Sequence, residues 1–215
     1  MSGNLLKIVG LVILLVILKS CIFPSKTSHA LKITAEVETP QGVRTGSSVI
    51  ELVSKSIPKW LPGSYGYTLQ LKGESPVVNL GNGKRLFVLL RDEHGKHDVM
   101  DLFRQPHSET DHSLTVDNYP LLVTFTDPDD AASVVKVSPE NFTGIFGDGY
   151  QLRRIFVEPV TGTATFGALD EIPLFKNHIL KLPSAQRIAS KGTGGQVPAS
   201  DPKRLMSMSF RQGSP

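Results

Sequence analysis

The sequence predicts an α+β fold dominated by β-strands, a mostly antiparallel sheet or sandwich with two or three short helices. Three observations carry that expectation. Apolar and polar residues alternate with period two from Leu31 onward, an Asn82-Gly83 pair sits between two apolar runs, and the segments with helical spacing are brief. With 15 Pro, 19 Gly and 7% aromatic residues, the composition suits a turn-rich fold more than a helical bundle. A chain of 215 residues, 40% of them hydrophobic, is long enough to bury one core.

Residues 1–20 read as a leader or membrane anchor, and 21–30 as a tether. "IVGLVILLVIL" at 8–18 is an unbroken apolar run flanked by Lys7 and Lys19. A helix that crosses a hydrocarbon core of about 30 Å needs roughly 20 apolar residues; this run, at about 1.5 Å per residue, reaches about half that depth. Its length fits the apolar core of an export signal, with Lys7 as the positive flank. Ser20 then precedes Cys21, the only cysteine. "LKSC" resembles the bacterial lipobox, which implies cleavage ahead of Cys21 and a lipid on its sulfur. Lys19 stands where that motif usually has a small or apolar residue.

Two other readings remain open. Residues 5–23 form a single uncleaved span if Lys7 and Lys19 snorkel toward the interfaces. Ordinary secretion would leave Cys21 an idle thiol. A buried globular helix is the least expected, because the stretch has no polar face. All three favoured readings put the body outside the cytoplasm, where one cysteine permits no internal disulfide. Net charge is +3, and removing Lys7 and Lys19 leaves +1. No Lys/Arg block is visible, which argues against nucleic acid as a partner.

The body is expected to be one β-rich domain at 31–187. "LKITAEVET" places Leu31, Ile33, Ala35 and Val37 on one face of a strand. "TPQG" supplies a turn, and "VRTGSSVIELV" the partner strand. "YTLQLK" at 67–72 alternates again. "PVVNL" and "RLFVLLR" flank the Asn82-Gly83 hairpin, and the wholly apolar "LFVLL" fits a central strand covered on both faces. Asp98 can cap a helix over "VMDLF", where Val99, Leu102 and Phe103 share one side. "YPLLVTFT" alternates through Leu121, Val123 and Phe125. Ser138 and Pro139 open a helix over "PENFTGIF" that Gly147 closes, and "QLRRIFVE" at 151–158 follows as a strand. Residues 188–203, poor in large apolar groups, are expected to be flexible. In 204–215, Met206, Met208 and Phe210 alternate with serines as a short terminal strand.

"DPDDAASVVKVSPENFTGIFGDGYQLRRIFVE" at 127–158 resembles a pattern of uncharacterised exported, lipoprotein-like proteins of Gram-negative bacteria. Its skeleton is Asp-Pro, a Ser-Val pair, a Pro-initiated helix, then "FG-x-G" and an Arg-Ile strand. "EVETPQGVRTGSSVIEL" at 36–52 is similar to the same group's opening hairpin. The resemblance implies a bacterial origin and carries no established activity. Read physically, Gly147 and Gly149 permit a tight reversal, and Asp127 with Pro128 starts a local turn.

Candidate chemistry is sparse. Residues 92–112 gather His94, His97, His107 and His112 among acids that include Asp98. Imidazole and carboxylate suit Zn, Ni or Cu(II), although no HExxH spacing appears and a solvated loop explains the same composition. "GSYG" and "GSSV" lack the G-x-S-x-G elbow, and "GNGKRL" lacks phosphate-loop spacing. Trp60, Tyr65 and Tyr67 lie on a Gly/Pro-rich stretch that suits either a binding contact or a plug for a β core. The expectation is a membrane-tethered extracytoplasmic protein of the bacterial cell envelope with a non-catalytic binding or structural role. Its partners would be the membrane, through the N-terminal segment or a lipid on Cys21, and an envelope protein. No cofactor is expected, and the rival is a periplasmic metal-binding protein using 92–112.

Overall fold

Alternation in the first body segment becomes a long strand. A computed structural model of the chain describes residues 9–10, 26–57, 66–90, 99–104, 112–130, 133–172, 175 and 211–212. Strand β1 (Lys26–Thr39) buries Leu31, Ile33, Ala35 and Val37, as the period-two pattern requires. It starts at Lys26, ahead of Leu31. Pro40 and Gln41 turn the chain, and Gly42, at φ 108°, opens β2 (Gly42–Ser56). The Thr39 hydroxyl locks this turn by donating to the Gly42 carbonyl at 2.7 Å and accepting from the Gln41 N–H at 3.2 Å.

The remaining strands are β3 (Tyr67–Glu74), β4 (Val77–Gly81), β5 (Lys84–Val88), β6 (His112–Ser113), β7 (Leu122–Phe125), β8 (Val134–Val137), β9 (Gln151–Val160) and β10 (Arg211–Gln212). Two short α-helices are described, α1 (Val99–Leu102) and α2 (Phe142–Phe146), with a 3-10 turn at Val116–Asn118. One sheet runs β10-β3-β2-β1-β9-β6 and the other β4-β5-β7-β8, both antiparallel. The fold is therefore β-dominated and sandwich-like, as the sequence predicts.

Contact density divides the chain into two units. The larger comprises His29–Leu52 and Leu71–Pro215. Its main core packs Leu31, Ile33, Val37 and Ile155 of the six-stranded sheet against Leu80, Leu86, Val88 and Leu122 of the four-stranded one. A second cluster covers the opposite face of the smaller sheet, where Leu169, Ile172 and Phe175 lie on Phe87, Leu89 and Val123. Phe125 meets Phe87 edge-on at 5.4 Å and Phe175 at 5.9 Å. Each such ring pair adds about 0.5–1.5 kcal/mol beyond its buried area. "LFVLL" is thus buried at all five positions, the first three on β5 between β4 and β7 and the last two just beyond it. The hairpin before it turns on Asn82 (φ 52°) and Gly83 (φ 77°), the two positive φ angles such a turn demands.

The smaller unit comprises Met1–Ser28 and Val53–Gln70. Its described part holds the first residues of β1 and a two-stranded ribbon from the end of β2 and the start of β3. The Ile57 N–H donates to the Gly66 carbonyl at 3.0 Å and closes that ribbon.

Three elements differ from expectation. Helix α2 begins at Phe142, not Pro139, because the Asn141 side-chain oxygen accepts the Ser138 N–H at 2.7 Å and holds 139–141 as a turn. In β7, Leu122 and Thr124 are buried as well as Val123, since both faces of this sheet are covered. Thr124 is accommodated by donating to the Arg85 carbonyl at 2.6 Å. In β3, Leu71 is buried while Tyr67 and Leu69 of the same parity are exposed. At the C-terminal end, Arg211–Gln212 pairs with Glu74 and Gly73 of β3. Met206, Met208, Phe210 and the 188–203 segment lie outside the described residues.

Two glycines give opposite tests of the packing. A Cβ on Gly46 would fall on the Val77 carbonyl and 2.8 Å from the Val78 nitrogen, both backbone atoms. Gly46→Ala is expected to cost about 3 kcal/mol in urea unfolding; an unchanged midpoint would refute this close approach of β2 and β4. Gly144 in α2 has open space where its Cβ would lie. Gly144→Ala is expected to leave stability unchanged or raise it by up to about 1 kcal/mol.

Candidate functional site

The residues that the sequence singles out are brought together only in small part. Cys21, Trp60, Tyr65, His94, His97, Asp98 and His107 lie outside the described residues. His112 is exposed on β6, opposite Val157 of β9. Tyr67 opens β3 and is 66% exposed. Among the described residues, no group of three or more His, Cys, Asp or Glu side chains is placed to hold a metal ion.

The acidic "DPDD" stretch is used as turn chemistry. The Asp127 carboxylate accepts the Asp129 N–H at 2.9 Å, and the Asp127 carbonyl accepts the Asp130 N–H at 3.2 Å. The Ser133 hydroxyl lies 2.8 Å and 2.7 Å from the Asp127 and Asp130 carbonyls. This is a self-satisfied loop. Gly147, at φ 99°, ends α2 by donating its N–H to the Thr143 carbonyl at 2.7 Å. Lys84 reaches from the hairpin to the Phe146 carbonyl at 2.6 Å and lies over the Tyr150 ring at 4.9 Å. A surface depression between Arg85, Phe87, Thr124, Phe125 and Ile172 is too small for an organic ligand.

Among the described residues, the densest polar arrangement is a cross-strand ladder of β1 and β9, on the face opposite Leu31 and Ile33. Its opposed pairs are Lys32 with Glu158, Thr34 with Phe156, and Glu36 with Arg154. Lys32 meets Glu158 at 2.7 Å. Arg154 grips Glu36 through Nε at 2.8 Å and Nη2 at 3.2 Å, while its guanidinium lies 4.5 Å from the centre of the Phe156 ring. A register shift in the pairing falls between Glu36 and Val37, next to this fork. Every charge in this ladder is matched across the strands. It holds two strands in register, and between its two ion pairs the buried Thr34 hydroxyl is left without a hydrogen-bond partner.

The net charge conceals an uneven distribution. The smaller unit contains Lys7, Lys19, Lys26, Lys55 and Lys59 and no Asp or Glu. All 20 acidic residues therefore lie in the larger unit against its 18 basic ones, the remainder of 23 after those five. The signal was present in the sequence as two acid-free stretches, 1–35 and 52–73. What the sequence could not supply was that 53–70 belongs in one unit with 1–28.

Comparison with protein-family models, curated proteins and solved structures gives no match to this chain.

The ladder makes a pH-dependent contribution to stability. Hydrogen bonding from Arg154 pulls the Glu36 carboxyl below its ordinary value of 4.5, with the charges of Arg154 and Arg153 assisting and partial burial opposing. A depressed folded value means that the stabilisation is complete above the unfolded value and is lost as pH falls through the folded one. With Arg154 41% exposed, solvent screening limits it to about 1 kcal/mol. Arg154→Met should be less stable than wild type at pH 7, and the gap should narrow as acid titration proceeds below pH 4.5. A gap constant down to pH 2–3 (roughly the end of carboxylate titration) would contradict this assignment.

Proposed function

We propose that the protein is a membrane-tethered extracytoplasmic component of a bacterial cell envelope, acting by binding or as a structural element. The observation that carries the reading is the apolar run 8–18, flanked by Lys7 and Lys19 and followed by Cys21 within "LKSC". It is too short to span a bilayer comfortably and has no polar face for a globular surface. The start of β1 at Lys26 adds a geometric consequence. Five residue steps separate Cys21 from that strand, about 17 Å when fully extended. A lipid on Cys21 would therefore hold the first strand within about that distance of the headgroups. Exposed Tyr67 and Leu69 support a binding role at the same end of the chain's first strands.

Mass spectrometry of the natively expressed protein tests the tether. The expected N-terminal peptide begins at Cys21 and carries fatty-acyl mass, and Cys21→Ser is expected to abolish acylation. A native chain recovered from the cytosol with Met1 in place and no acyl group would end this reading.

A further inference from the structure

The smaller unit combines charge of one sign with exposed apolar side chains. On β3, Leu71 is 6% exposed, whereas Leu69 and Tyr67 of the same parity are 42% and 66% exposed. These two side chains sit on the ribbon closed by the Ile57–Gly66 hydrogen bond. Lys55, near the end of β2, and Lys26, at the start of neighbouring β1, are both exposed. Lys55 lies opposite Thr68, whose hydroxyl donates to the Lys55 carbonyl at 3.5 Å, and therefore has the opposite facing from Tyr67 and Leu69. No acid occurs anywhere in this unit.

We propose that this ribbon end is a docking surface for a bilayer carrying anionic phospholipid, entered by Tyr67 and Leu69 and steered by Lys26 and Lys55. The inference rests on the tethered reading for delivery of the chain to a membrane. The physical fit has three parts. A tyrosine has an apolar ring for the acyl boundary and a hydroxyl for the headgroup layer. Leucine adds apolar area, and lysines reach phosphate oxygens while their stems stay in apolar surroundings. Each ammonium near an anionic surface raises affinity about fivefold, a gain that an acid nearby would cancel. A protein strand pairing with the backbone edge of β3 would have no need of that charge bias, which is why lipid is the favoured occupant.

The test uses the full chain in liposomes with a single tryptophan as reporter. Trp60 is the only native one, so Trp60→Phe combined with Tyr67→Trp places the reporter on the ribbon. Trp60→Phe with Val116→Trp places a control on the exposed 3-10 turn of the acid-bearing unit. In vesicles of phosphatidylglycerol and phosphatidylcholine with brominated acyl chains, the reporter at 67 is expected to shift to the blue and be quenched. The control at 116 is expected to keep aqueous emission. Adding Lys26→Glu and Lys55→Glu should cut the quenching at 67 at least about twofold, as should pure phosphatidylcholine.

Aqueous emission at 67 in vesicles that retain the chain would overturn the proposal. So would equal quenching at 116, or quenching at 67 indifferent to lipid charge and to the lysines. All four substituted side chains in the ribbon and control are exposed, and circular dichroism of each variant checks that the fold is kept. If the native chain lacks an acyl group and a membrane location yet position 67 is quenched, the tether fails and the docking surface stands. If the chain is acylated and position 67 remains in water, the reverse holds.

Discussion

A buried carboxylate ties the outer layer of the sandwich to its sheets. Glu74 ends β3 with 1% of its surface exposed and accepts the Ala168 N–H at 2.6 Å. Burying an acid is costly unless hydrogen bonds replace its water, so this position is occupied because the bond does structural work. The work is to hold the chain that follows β9. Three residues earlier, Thr165 donates its N–H to the Val49 carbonyl at 3.0 Å, and its hydroxyl accepts the Val49 N–H at 2.9 Å. That closes part of the β2 edge where β3 has already left, and an edge left open would be a template for wrong pairing. From this anchorage Leu169, Ile172 and Phe175 reach the face of the smaller sheet that the main core does not cover.

The consequence is a smaller sheet wrapped on both faces, and it explains which parts of the fold could be read from residues alone. "LFVLL" announces two-sided burial because every position is apolar. "LLVTFT" does not, because Thr124 breaks the run and suggests a polar face. Only the structure shows that its hydroxyl is satisfied by the Arg85 carbonyl, so that a polar residue sits comfortably inside. Turn chemistry was equally legible at Asn82-Gly83 and at Gly147, where specific φ angles leave few alternatives. It was less so at Ser138–Asn141, where Pro139 fits the first turn of a helix as well as it fits the Asn141-locked turn that forms.

Alternation in β3 carries a different lesson. Period two fixes which side chains share a face, and it says nothing about whether another layer lies over that face along the strand's full length. Leu71 is covered and Tyr67 and Leu69 are not, so one uniform pattern yields a core position and two exposed ones on the same strand. The candidate site was illegible for this reason. Tyr67 stands at the end of a Gly/Pro-rich stretch, Leu69 alternates as a core residue would, and the lysines are diluted into a small net charge.

Net charge is a sum over the molecule, while a surface responds to charge within about 8 Å of it at physiological salt. A net charge of +3, or of +1 once Lys7 and Lys19 are removed, would give weak, unoriented attraction to an anionic layer. With the leader removed ahead of Cys21 as proposed, three lysines (Lys26, Lys55 and Lys59) with no acid in one unit, and an acidic excess of two in the other, would make the attraction local. On the proposed reading, a tether of at most about 17 Å keeps that unit within a few screening lengths of the headgroups. Confinement of this kind raises the effective concentration of a weak contact, so a single tyrosine, a single leucine and two lysines suffice where a free protein would need a larger patch. On the same proposal, confinement would make the exposure of Tyr67 and Leu69 tolerable, because a surface occupied by lipid is not available to pair with other chains.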